Sequence, residues 1–142
     1  MTADTPHPAE ADAPRPTAHV AFSGKADLWW LRLLRPGFRH CFLVLSDGQH
    51  WITLDPLSTV LEVAVQPVPA SFDLPGWYRE RGLTVLPARI GPPPARPLLL
   101  APLTCVEVVK RALGISDRWV LTPFQLFRRL ARDAAAPAAG RP

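Results

Sequence analysis

The sequence predicts an α+β domain: a small antiparallel sheet of about four or five strands packed against a cysteine-bearing helix and a C-terminal helix. Three observations carry that expectation. Two β-rich runs, Arg39 to Leu45 and Gln49 to Leu54, flank Asp47-Gly48, a dipeptide that commonly turns a hairpin. Thr104 to Gly114 and Thr122 onward each read as a helix with its own capping residues. Between the hairpin and the first of these helices, strand-like alternation recurs in Thr59 to Gln66 and again from Leu83 to Leu86, extending at most to Ile90.

The 142 residues allow one domain with a real core, and not two. The eighteen prolines cluster along the chain. Residues 1–17 carry four of them and no large aliphatic side chain after Met1, and residues 134–142 are Ala, Pro, Gly and Arg. Both ends are expected to be disordered tails, leaving a single domain over 18–133. The net charge of +4 comes with fourteen arginines and two lysines, a bias expected of a GC-rich bacterial genome. The basic residues are scattered, and a solvated helix face accounts for Arg128, Arg129 and Arg132, so no nucleic-acid partner is expected. No apolar run approaches the roughly 20 residues of a membrane span. Two cysteines and an acidic, proline-rich N-terminus argue against a secreted disulfide scaffold. The expectation is a soluble, cytoplasmic protein.

Taken in order, His19 to Ser23 reads as a first strand ended by Gly24. Asp27 caps a turn or helix through Leu28-Trp29-Trp30-Leu31-Arg32-Leu33-Leu34, broken by Pro36-Gly37. The paired tryptophans suit core packing, with the lining of an acyl or peptide groove as the alternative. In the hairpin, a two-residue Asp47-Gly48 loop sets Ser46 opposite Gln49, Val44 opposite Trp51, Phe42 opposite Thr53 and His40 opposite Asp55. His40, Phe42 and Val44 then share a face with Asp55, Thr53 and Trp51, while Cys41, Leu43, Leu45, His50, Ile52 and Leu54 occupy the other. Opposed Cβ atoms lie about 5 Å apart, so register alone predicts a His40–Asp55 couple. The plainer readings are a satisfied core histidine and an aspartate that opens a turn before Pro56. Cys41 points away from His40 and reads as a small buried side chain; His50 reads as a surface residue.

Asp73 to Arg81 looks like a short helical turn carrying Trp77 and Tyr78 and closed by Gly82. The proline-rich stretch Gly91 to Pro102 is expected to run extended over the surface. The helix after it opens with Thr104 as N-cap and Glu107 completing a capping box, and Gly114 ends it. Cys105 takes the first helical position, where free amides and the helix dipole favour a thiolate. From Cys105 the apolar stripe runs through Val108, Val109, Ala112 and Leu113, which aims the sulfur at the packing surface. A nucleophile sits there, and so does a small buried hydrophobe. After a connector from Ser116 to Val120, Thr122-Pro123-Phe124-Gln125 opens the last helix, with Phe124, Phe127, Leu130 and Ala131 as its buried face. Metal binding is unsupported, since two cysteines and four histidines show no paired ligand spacing, and no cofactor is expected.

A strand histidine, an acidic residue on the next strand, further strands and then a cysteine opening a helix reverse the order of papain. That reversal, with Phe38-Arg39-His40-Cys41-Phe42 and Thr104-Cys105-Val106-Glu107-Val108-Val109-Lys110, resembles the circularly permuted papain-like group: the NlpC-type amidohydrolases and the relatives of lecithin retinol acyltransferase. The likeness covers roughly Phe38 to Leu113. It implies Cys105 as nucleophile, His40 as general base and acid, and Asp55 as the residue that orients His40, a position where members more often carry histidine, glutamate or a neutral polar group. The reaction implied is acyl transfer through a thioester on a peptide, amide or lipid acyl substrate, resolved by water or by another acceptor. A cell-wall substrate would require delivery by a phage or a partner protein. Two other readings stand beside it: an interaction domain of the same fold with a buried Cys105, and a lipid-surface protein using Trp29, Trp30, Arg32, Arg35 and Arg39.

Overall fold

The computed structural model describes residues 16–25, 32–57, 60–92 and 104–136. Eight elements follow in order: β1 (Thr17–Ser23), β2 (His40–Ser46), β3 (Trp51–Pro56), β4 (Leu61–Gln66), α1 (Leu74–Glu80), β5 (Thr84–Ala88), α2 (Cys105–Leu113) and α3 (Pro123–Ala135). The strands form one antiparallel sheet in the order β4-β3-β2-β1-β5. Among the described residues the architecture is therefore α+β with five strands and three helices. The tails, the Trp29-Trp30 stretch and most of the Gly91–Pro102 stretch lie outside the described residues. Among the described residues no helix is long and apolar enough to cross a membrane.

Both faces of the sheet are covered over its central strands β1 and β2. On one face Val20, Phe22, Cys41 and Leu43 pack with Val106, Val109 and Leu113 of α2 and with Leu126 and Leu130 of α3. On the other, Ala21, Phe42, Val44, Trp51 and Val85 pack with Leu74 of α1, flanked by Trp77 and Tyr78. This double burial explains why β1 and β2 are nearly continuous apolar runs, where a half-exposed strand would alternate. The hairpin faces are those the alternation predicts.

The register differs. Ser46 lies opposite Trp51, Val44 opposite Thr53 and Leu43 opposite Leu54. The turn is centred on Gly48-Gln49 instead of Asp47-Gly48. A type I′ turn at Asp47-Gly48 requires positive φ at both residues, whereas only Gly48 has it (φ 90°). Gly48 in the first central position instead suits the mirror-type turn with one positive φ. Asp47 stays outside the turn and accepts from the Gln49 and His50 amides at 2.8 and 2.6 Å. Moving the turn by one residue shifts the pairing by two, so every side chain keeps its face.

The helices also sit at a slightly different rotation from the one expected. The buried residues of α2 are Val106, Glu107, Val109, Lys110 and Leu113, while Ala112 is exposed. Cys105 thus lies at the margin of the buried face. Thr104 caps the helix through the Glu107 amide, but the Glu107 carboxylate does not complete a box. It turns to Lys110 at 3.0 Å and Arg111 at 3.3 Å. Lys110, 1% exposed, also donates to the Val120 carbonyl at 3.1 Å, which is how a buried ammonium is tolerated. In α3 the capping box is complete. Its deepest residues are Pro123, Leu126 and Leu130; Phe124, Phe127 and Ala131 are half-buried, with Phe124 and Phe127 stacked around Phe38.

Candidate active site

The rim formed by the start of β2, the end of β3 and the start of α2 brings His40, Asp55 and Cys105 together. Two anchors fix β2 there. Phe38 wedges between Phe22, Phe124 and Phe127, with ring centroids 4.8–5.7 Å apart. The Arg39 amide donates to the Ser23 carbonyl at 2.9 Å and joins the strand to β1. The β2–β3 ladder ends at Leu43–Leu54, so His40 and Asp55 project from strand ends no longer paired to each other. With the observed register Asp55 falls two residues short of facing His40, a diagonal neighbour. Such a diagonal is within reach of a long side chain. His40 Nε2 meets Asp55 Oδ1 at 2.6 Å, with the two side chains 19% and 28% exposed. The couple expected from register is present, although the register that suggested it is not.

Cys105 is reached differently. It packs on the α2 face of the sheet, beside Cys41, while His40 belongs to the opposite face. The two meet because each is the first residue of its element, and the His40 ring bridges the faces at the strand end. The His40 imidazole lies close enough to the Cys105 thiol for each to shift the other's titration. Since Nε2 is engaged by Asp55, Nδ1 is the ring nitrogen left for sulfur.

The charges follow from these contacts. The Cys105 thiol is pulled down to about 5, first by the Cys41 S–H that donates to it. Burial opposes the shift; the His40 hydrogen bond, the Cys41 backbone N–H and the His40 charge reinforce it. For His40, burial is the largest single effect and disfavours the cation. Hydrogen bonds to Asp55 and Cys105, together with their charges, outweigh it and lift the imidazole to about 9. Between these values the resting pair is thiolate and imidazolium. The Cys41 thiol is pushed well up by burial and by the neighbouring sulfur, and stays protonated.

A groove of about 530 Å³ opens from this rim across the α1 face. His40, Asp55 and Phe42 line it, with Trp77 and Tyr78 of α1 as an aromatic wall and Glu62 and Gln66 of β4 along the far side. Its size is that of an ordinary small-ligand cleft. Cys105 is not among its lining residues; it lies behind His40 on the α2 side. Gln66 Nε2 donates to Thr53 Oγ1 at 2.7 Å and fixes part of the groove's polar floor. Burial and the Asp55 charge push the Tyr78 phenol up, so it remains a neutral donor in the groove.

The sequence reading missed two things. It took Cys41 only as a packed small side chain, because the strand pattern gives its face but not the residue that α2 lays on it. It left the α1 wall unassigned, because only tertiary packing sets Trp77 and Tyr78 over Phe42. His50 is exposed and pairs with Asp47 at 3.3 Å, away from the site. Among the described residues no group of three or more His, Cys, Asp or Glu side chains is arranged to hold a metal ion. Comparison with protein-family profiles, with curated proteins and with solved structures finds no match to this chain.

Proposed function

We propose that this chain is a cysteine amidase or peptidase, or an acyltransferase, of permuted papain-like type, working through a thioester on Cys105. One observation carries the reading: Asp55 hydrogen-bonds His40 at 2.6 Å, and His40 stands beside a cysteine at a helix N-terminus whose thiol is lowered to about 5. The Cys105 thiolate attacks the acyl carbonyl, and the tetrahedral oxyanion forms beside the first turn of α2. The Cys105 N–H has no intrahelical acceptor there and serves as one donor to that oxyanion. His40 gives its proton to the leaving amine or alkoxide. It then takes a proton from the incoming water, amine or alcohol, while Asp55 holds the ring through Nε2. The groove beside His40 and Asp55 suits the chain of an acyl substrate that carries a peptide, amide or lipid group.

The test is acyl-enzyme capture. The full chain is incubated at pH 7 with activated thioesters and peptide anilides of varied acyl group, and intact mass is followed. The expected result is one acyl adduct, mapped to Cys105, absent in Cys105→Ala and slow to form and to clear in His40→Ala. Adducts that spread over lysines, or that form equally fast in His40→Ala, would sink the reading. A non-catalytic interaction domain is favoured by a different feature, the exposed Leu61, Val63 and Val65 on the edge strand β4. It predicts a cysteine of ordinary reactivity in the same experiment.

A further inference from the structure

Both cysteines of the chain meet at one point. Cys41, 0% exposed, lies in the core beneath α2, and Cys105 packs against the same core cluster, near enough for each thiol to shift the other's titration. Cys105 is half-buried at the margin of the same face and is reached from the rim. In the acyl chemistry the second sulfur only helps to lower the Cys105 thiol and takes no part in any bond made or broken. A shielded thiol in contact with a reactive, accessible one is the arrangement of a resolving and a peroxidatic pair. We propose that Cys105 and Cys41 form a reversible dithiol site for hydroperoxides, closing to a Cys41–Cys105 disulfide. The inference needs a reactive Cys105 and not the thioester chemistry, so the two fail separately.

The steps balance. The Cys105 thiolate attacks one oxygen of the hydroperoxide; an S–O bond forms and the O–O bond breaks. The departing alkoxide, or hydroxide from hydrogen peroxide, takes the proton of the His40 imidazolium and leaves as alcohol or water. Cys105 is then a sulfenic acid. The Cys41 sulfur attacks the Cys105 sulfur, the S–O bond breaks, and the hydroxyl departs as water with the Cys41 proton. The two sulfurs lose two electrons together and the hydroperoxide gains them. Burial favours this order, since Cys41 is shielded from the oxidant yet adjacent to the sulfenic sulfur. The disulfide removes the nucleophile and guards it against further, irreversible oxidation; a small thiol restores it.

The experiment treats the full reduced chain at pH 7 with hydrogen peroxide in slight excess and follows free thiols, intact mass and tryptic peptides. The expected wild-type result is loss of both thiols, a mass lower by two hydrogens and a peptide joining Cys41 to Cys105 within one chain. Dithiothreitol returns both thiols. Cys41→Ser is expected to end as sulfinic acid on Cys105, which dithiothreitol does not reverse. In Cys105→Ser, Cys41 is expected to stay reduced over the same period. A wild type whose Cys105 gains oxygens while Cys41 stays free would overturn the proposal, as would disulfides only between chains. The wild-type measurement decides even if a variant folds poorly.

Discussion

The Cys41 S–H is the largest cause that lowers the Cys105 thiol to about 5, and replacing His40 by alanine removes two further contributions, the His40 hydrogen bond and cation. In the limiting case the thiol returns to the value of a free cysteine, about 8.5. At pH 6 the wild type is then almost fully thiolate and the variant less than about 1%. Occupancy is not rate, because a thiolate of lower pKa is intrinsically less nucleophilic, with a Brønsted slope of about 0.45. Combining the two, wild type should alkylate roughly 8-fold faster than His40→Ala at pH 6 and roughly 30-fold slower at pH 9. The profiles must cross. The Cys41 S–H remains in the variant, so the measured spread will be smaller than these limits while the crossing stays. The assay is iodoacetamide labelling from pH 4 to 10, read at Cys105 by peptide mass spectrometry. Parallel profiles with no crossing would refute the ion pair and the catalytic reading that rests on it.

The same couple shapes stability. The unfolded chain titrates these groups near 6.5 and 9.0, the folded chain near 9 and 5. The raised His40 stabilises most below 6.5 and loses that up to 9; the lowered Cys105 stabilises most above 9.0 and loses that down to 5. Together they predict stability that rises between pH 5 and 6.5, by at most about 1.4 kcal/mol per pH unit, then a plateau to pH 9. Urea unfolding of wild type against Cys105→Ser measures the difference, and an identical pH dependence in both would contradict it. Lys110→Met leaves Glu107 buried with one ion-pair partner gone, and is expected to lower unfolding free energy by about 3–5 kcal/mol in urea melts. Gly114→Ala places a Cβ 2.3 Å from the Pro92 carbonyl oxygen at φ 72°, so it should destabilise by more than about 1 kcal/mol in the same assay. Leu126→Ala, at 0% exposure, should cost about 2–5 kcal/mol, whereas the 64% exposed Leu121→Ala stays within about 0.5; similar melting shifts for the two would mean that Leu126 is not a core residue.

Local physics made much of the site readable. The sharing of a face by His40, Phe42 and Asp55 depends only on the period of two along a strand, which survives a two-residue shift of pairing. The placement of Cys105 at a helix start depends on Thr104 and Gly114, whose capping roles involve only neighbouring backbone. The turn was less legible, because Asp-Gly suits more than one hairpin loop. Whether Asp47 enters the turn or caps the amides after it is settled by small local differences. Helix rotation was the other gap. Val106 and Leu126 outcompete Cys105 and Phe124 for the deepest positions only when the sheet and the neighbouring aromatic rings are present.

The sequence by itself determined the antiparallel hairpin and the strand faces, the two capped helices and the residue types of the couple, because each follows from contacts within a few residues along the chain. The tertiary structure decided the rest. It set Cys41 under Cys105, brought His40 from one face of the sheet to a cysteine on the other, and built the groove wall from α1. These are meetings between distant segments, chosen by how helices pack on a sheet buried on both faces. No periodicity or spacing along a single chain encodes them.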